Sequence, residues 1–178
     1  MTVKISQDNK GFTLIELLVV IAIIGLLASV VFASLNSARV KSRDARRISD
    51  LKQIQTALEL YYDDHGYYPA PPCGWDCNGY TRSNIASWDT LATELEPYIA
   101  SLPEDPLNTG GYPWNTGNYT YSYGNVGRNT RRIQYDLTAQ LEDPNHPQRC
   151  AEKQWHFYFT RAAWCGSYSD QIYEGSIN

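Results

Sequence analysis

A chain of 178 residues, 43% of them hydrophobic, with a net charge of −4 has room for one domain, or for one domain and an anchor. From Gln53 to Asn178 there are seven basic residues against fifteen acidic ones. That balance excludes most nucleic-acid binders, which need a basic surface to displace counterions, and it suits a Tyr- and Trp-rich head outside the cell.

The chain opens with a polar, slightly basic stub, Met1 to Gly11, carrying Lys4, Asp8 and Lys10. Phe12 to Leu35 is then almost uninterrupted apolar sequence, with Glu16 as its single charge. As a helix this run of 24 residues spans about 36 Å at the usual rise. That exceeds the roughly 30 Å of a bilayer's hydrocarbon core. A secretory signal has a shorter apolar core followed by a small-residue cleavage site. Here helix-forming sequence continues without a break, so the segment is expected to stay in the mature protein.

Asn36 to Lys52 holds six basic residues (Arg39, Lys41, Arg43, Arg46, Arg47 and Lys52) against Asp44 and Asp50. Ile48, Leu51, Ile54, Leu58 and Tyr61/Tyr62 recur at spacings of three and four, which lays one apolar stripe along a helix. No Pro occurs between Phe12 and Tyr68, and Gly25 is the only Gly before Gly66. Gly66 is placed as a C-terminal cap with Pro69 just beyond. The spacing therefore predicts one helix from about Phe12 to Asp64, on the order of 80 Å long. Its first half is apolar all round and its second half is amphipathic.

Pro69 to Ala86 reads as irregular. Ser87 is placed to cap a short helix with Trp88, Leu91 and Leu95 on one face, ending near Pro97. Turn residues follow through Pro113. The period then changes to two over Asn118–Tyr123, Ile133–Leu141 and Trp155–Thr160. Three such strands predict an antiparallel meander with one buried face, covered by the stripe from Ile48 to Tyr62.

Cys73, Cys77, Cys150 and Cys165 all lie beyond the apolar run, and in an exported head they read as two disulfides. Four cysteines allow three connectivities; the local one, Cys73–Cys77 with Cys150–Cys165, is expected. The gaps do not match common zinc spacings. His65, His146 and His156 are scattered, and no Gly-x-Ser-x-Gly elbow is present, so no hydrolase is built from them and no enzymatic activity is expected.

The most specific signal is Lys10-Gly11-Phe12-Thr13-Leu14-Ile15-Glu16, continued by Leu17 to Gly25. It resembles the class III signal peptide of type IV pilins and pseudopilins, in which a basic leader ends in Gly and the mature chain starts with Phe and carries Glu at its fifth position. Tyr61 to Pro69, Leu102 to Pro106 and Tyr135 to Glu142 are similar to parts of such proteins as well. The resemblance implies an α+β pilin fold, a long N-terminal helix packed on a small antiparallel sheet. It implies a leader over 1–11, a transmembrane and filament-core helix over 12–35, an amphipathic half over 36–64 and a head over 65–178. It also implies cutting between Gly11 and Phe12 by prepilin peptidase, N-methylation of Phe12, and pairing of the Glu16 carboxylate with the Phe12 amino group of a neighbouring subunit. A carboxylate inside a membrane span is by default functional.

The partners implied are identical subunits in a helical filament, the peptidase, the assembly machinery of the inner membrane, and inner-membrane lipid before assembly. No cofactor is implied, apart from the calcium that heads of the major pseudopilin of type II secretion often hold. Candidate oxygens for it are Glu142, Asp143 and Asn145, or Glu104, Asp105 and Asn108. Two departures matter. Ala33 stands where many relatives carry Pro. The basic run from Arg39 to Lys52 outweighs Lys4 and Lys10, which by charge bias alone would keep it cytoplasmic. The cleavage motif and the cysteines place the head outside, and the basic run is then expected to face neighbouring subunits or lipid headgroups. A major pilin of a surface filament, a pseudopilin of type II secretion and a monomeric anchored binding protein compete. Gly11 and Glu16 disfavour the third, and the long aromatic head favours the surface filament.

Overall fold

The computed structural model describes residues 11–71, 79–125, 133–149 and 172–174. By internal contacts the chain divides into two units, Met1–Arg39 and Val40–Asn178, each described by itself; the sequence had placed that boundary after Leu35. Helix α1 runs from Leu14 to His65, passing position 33 without a break. Thr13 stands just ahead of it as the N-cap. The Thr13 hydroxyl accepts the backbone N–H of Glu16 at 3.2 Å, and the Glu16 carboxylate accepts the backbone N–H of Thr13 at 2.8 Å. This reciprocal pair is a capping box, which satisfies two donors that the first turn leaves without partners. At the other end Gly66 has φ +74° and donates its N–H to the Tyr62 carbonyl at 2.7 Å. That is the left-handed cap glycine alone adopts without strain.

In the first unit the side chains of α1 are exposed, Phe32 by 65% and Leu26 by 70%. In the second unit the predicted stripe is the core: Leu51, Ile54 and Leu58 are fully buried, with Ile48 and Tyr61 nearly so. They pack in one cluster with Trp88, Leu91 and Leu95, which line one face of α2 (Ser87–Leu95), and with Tyr121, Tyr123, Tyr135, Leu137 and Ala139 of the sheet. Burying a Leu fully stabilises the fold by roughly 2 kcal/mol, so this stripe anchors the head to its helix.

The sheet is antiparallel with order β1-β2-β3-β4, formed by Tyr80–Arg82, Tyr121–Asn125, Tyr135–Gln140 and Ile172–Glu174. Two of the three predicted strands are present. The third, Trp155–Thr160, lies outside the described residues. β1 falls in the stretch expected to be irregular, because three residues carry no readable alternation. β2 begins at Tyr121 rather than Asn118, since Tyr119 instead exchanges two backbone hydrogen bonds with Thr109, both 2.9 Å.

Two further expectations are corrected. Ser87 is not a cap: Ala86 holds the N-cap position with no side-chain bond, and the Ser87 hydroxyl lies 2.6 Å from that of Thr81. The sheet does not have one buried face. β2 and β3 are buried at every position, including Ser122, Asp136, Thr138 and Gln140. On that second face the Tyr80 hydroxyl donates to Asp136 at 2.5 Å. Gln140 donates to the carbonyls of Pro113 and Asn115 at 2.9 and 3.2 Å, and accepts the N–H of Gly117 at 2.6 Å. The 112–117 loop, with the Tyr112–Trp114 ring stack, thus covers what alternation alone would leave wet.

Candidate assembly site

Gly11 and Phe12 precede α1 without regular structure, and Phe12 is 91% exposed. A Cβ built on Gly11 meets nothing within 4 Å, and its φ is not in the left-handed region. Among the described residues, neither packing nor backbone geometry therefore requires glycine there. Glu16 sits one turn inside α1. Its carboxylate also accepts the Thr13 hydroxyl at 2.8 Å, so in the uncut chain the charge is already held by local donors. The Thr13-x-x-Glu16 spacing is a readable capping box that the sequence reading passed over in favour of assembly. α1 carries the one helix segment among the described residues that is long and apolar enough to cross a membrane, with a mean hydropathy of 2.9 over its best 18 residues and none of them buried.

The basic run that follows is not a uniformly outward face. Arg47 is fully buried. Its Nε and Nη2 donate to the two oxygens of Asp105 at 2.7 and 3.0 Å, and its Nη1 donates to Asp44 at 2.8 Å and Glu142 at 2.6 Å. The guanidinium also lies 4.9 Å from the Tyr119 ring centre. Arg43 grips the same Glu142 with Nε and Nη2 at 2.6 and 2.5 Å. Two cations thus meet three carboxylates. The surplus negative charge is met by backbone donors: Asp44 accepts the N–H groups of Glu142 and Asp143, and Asp105 accepts that of Leu107, all at 2.9 Å. Burial alone would lower the Arg47 pKa, but the bonds from Asp105, Glu142 and Asp44 hold it above its ordinary value. Burial would likewise raise Glu142, yet Arg43 and Arg47 hold its carboxyl below 4.5. Arg43 and Arg47 are thereby corrected from intermolecular contacts to internal ties, while Arg39, Lys41, Arg46 and Lys52 stay exposed.

The network also engages oxygens that were candidates for calcium, which takes six to eight of them. Both oxygens of Asp105 and of Glu142 are bound by arginine, and a divalent cation there would sit against two guanidinium groups. Glu104 accepts from Asn108 at 3.0 Å, and Asp143 accepts the Asn145 N–H at 2.9 Å. With these bonds in place, the carboxylates of Asp105 and Glu142 are committed to arginine rather than free to take up the ion. Cys73, Cys77, Cys150 and Cys165, with their expected pairing, lie outside the described residues. His65 stacks on Tyr61 at 4.0 Å, and His146 lies in the turn after β3.

Residues 6–32 match the family described as the prokaryotic N-terminal methylation motif. The chain is similar to proteins named type II secretion system core protein G. It is 34% identical to that of Aeromonas hydrophila over 56% of this chain and 68% of the relative. It is 33% identical to that of Escherichia coli over 58% and 70%, and 31% identical to that of Vibrio cholerae over 58% and 68%. No solved structure matches the chain significantly.

Proposed function

We propose, from the premise that this chain belongs to the pilin and pseudopilin family together with the type II secretion core protein G proteins, that it is a pseudopilin. In this reading it is a structural subunit, not an enzyme, that polymerises in the cell envelope to drive secretion. The observation that carries the choice is the similarity to core protein G over 100 residues, well beyond the 27 residues of the shared N-terminal motif. It outweighs the long aromatic head, which had favoured a surface filament for adhesion, motility or DNA uptake.

The steps follow from the chain's own residues. The precursor inserts through residues 12–35 with its head outside the cytoplasmic membrane. Prepilin peptidase cuts after Gly11, where the missing side chain gives close access to the scissile bond. The freed Phe12 amine is methylated. Glu16 then exchanges its Thr13 donors for the Phe12 ammonium of a neighbour, a pairing that offsets the desolvation of both ions.

Deleting the gene for this chain in its host, and replacing it with wild type or with Gly11→Val, tests the reading. Secreted enzymes should vanish from the medium on deletion and return only with wild type, whose mature mass should start at Phe12. Unchanged secretion after deletion, with loss of surface filaments instead, would return the chain to the major-pilin reading.

A further inference from the structure

A groove of about 410 Å³ opens beside α2. Its exposed lining is mostly polar: Asp89, Glu96 and Glu104 are exposed along it, the buried Trp88 and Leu102 lie beneath, and no cationic side chain lines it. Asp89 and Glu96 are seven residues apart, two helical turns, so they share a side about 10 Å apart along the axis. Neither has an ion-pair partner among the described residues.

The complementary surface lies on the same head. Once Arg43 and Arg47 are committed inward, Lys41 and Lys52 remain exposed and unpaired among the described residues. They are eleven residues apart, three turns, which brings them to one side of α1 about 16 Å apart. The exposed residues between them on that side, Ala45 and Ser49, are small. The result is a low helical surface with a flexible cation at each end, and the four-carbon stems let both ammonium groups reach inward.

We propose that the Lys41–Lys52 surface of one subunit docks in the Asp89/Glu96/Glu104 groove of a second copy of this chain. This rests on the polymer reading above. The two surfaces share no residue, so the contact is heterologous: each subunit offers both halves, and the contact propagates into a helical filament instead of closing on itself as a two-fold dimer. The head is acidic overall, so copies repel each other unless opposite charges meet. A localised basic surface against a localised acidic one sets the register between copies. Exposed ion pairs are individually weak and screened by salt, so the contact depends on several of them acting together.

The test uses the full chain assembled in cells. Lys41→Glu with Lys52→Glu, and separately Asp89→Lys with Glu96→Lys, should each lower the yield of polymer recovered from the cell envelope about tenfold, and the combination of all four should restore it to within about threefold of wild type. A zero-length carbodiimide, which joins only amines and carboxylates in direct contact, should give a dimer band whose digest links a Lys41 or Lys52 peptide to an Asp89, Glu96 or Glu104 peptide. Reversals without effect, a loss that the combined reversal does not rescue, or links from these lysines to a different protein would overturn the docking while leaving the polymer intact. A wild-type chain that cannot be polymerised would overturn the polymer reading and this contact with it.

Discussion

Arg47 and Asp105, separated by 58 positions in the chain, form a two-bond guanidinium–carboxylate pair in which both side chains are wholly removed from solvent. This pair and its neighbours tie the helix that carries Arg47 to the loops that carry Asp105 and Glu142. Removing one partner of a buried pair costs more than the pair itself contributes, because the other is left charged in a medium that solvates it poorly.

Arg47→Ala should therefore destabilise the head by roughly 3–5 kcal/mol. Arg47→Lys should recover only part of it, since an ammonium cannot make the planar two-bond contact with Asp105. Urea unfolding of the detergent-solubilised chain, followed by near-UV circular dichroism, measures both. A loss below about 1 kcal/mol, the range of an exposed pair, would show that the guanidinium is hydrated.

Glu142 sets an acid limit. Its folded pKa is held below the ordinary 4.5 despite burial, so it contributes stability that is fully present above about pH 4.5 and is lost as pH falls through the folded value. Glu142→Gln should flatten the acid side of the stability profile and reduce stability at neutral pH. A mutant whose profile falls as steeply as wild type below pH 4.5 would assign the acid limit to other carboxylates.

Gly124 faces the Tyr80 ring across β1 and β2, and a Cβ added there would stand 2.2 Å from a ring carbon. The ring is held by its hydroxyl on Asp136, so it cannot swing aside without giving up a buried bond. Gly124→Ala should cost about 1–3 kcal/mol, the usual range for overpacking. Tyr80→Phe in the same background frees the ring and should return part of the loss. Urea midpoints of the three variants decide it, and a neutral Gly124→Ala would refute the close packing.

Glu16 combines a local and an intermolecular role that one substitution separates. Gln also completes a capping box, so Glu16→Gln keeps the helix start while removing the charge; Glu16→Ala removes both, the cap being worth about 1 kcal/mol. If pairing with a neighbour's Phe12 ammonium governs assembly, both variants should be cut after Gly11 and both should fail to form filaments. Filaments from Glu16→Gln but not from Glu16→Ala would assign the residue to capping alone.

Much of what depends on neighbours in sequence was readable without coordinates, although Ser87 does not cap its helix. The period of the Ile48–Tyr61 stripe, the Gly66 cap and the Trp88/Leu91/Leu95 face were read correctly, because each is specified within a few residues. The rest depends on partners far along the chain. Arg43 and Arg47 look like their exposed neighbours until Glu142 is folded against them. Thr138 and Gln140 alternate as a solvent face would, until the 112–117 loop bonds to Gln140. β1 is a strand only because Tyr121–Asn125 lies beside it. The N-terminal motif stood out for the opposite reason: a match over residues 6–32 is carried by short-range sequence and needs no distant partner.

The Arg47 network also sets an order of events during folding. Asp105 and Glu142 follow Arg47 much later in the sequence, so in any process that delivers the chain from its N-terminus the cation arrives before its partners. Until they arrive, Arg47 must remain hydrated, and the part of α1 that bears it cannot close on the head. Closure of this part of the helix on the head is thus a late, long-range step in folding, and a chain interrupted before Glu142 leaves its central cation in water.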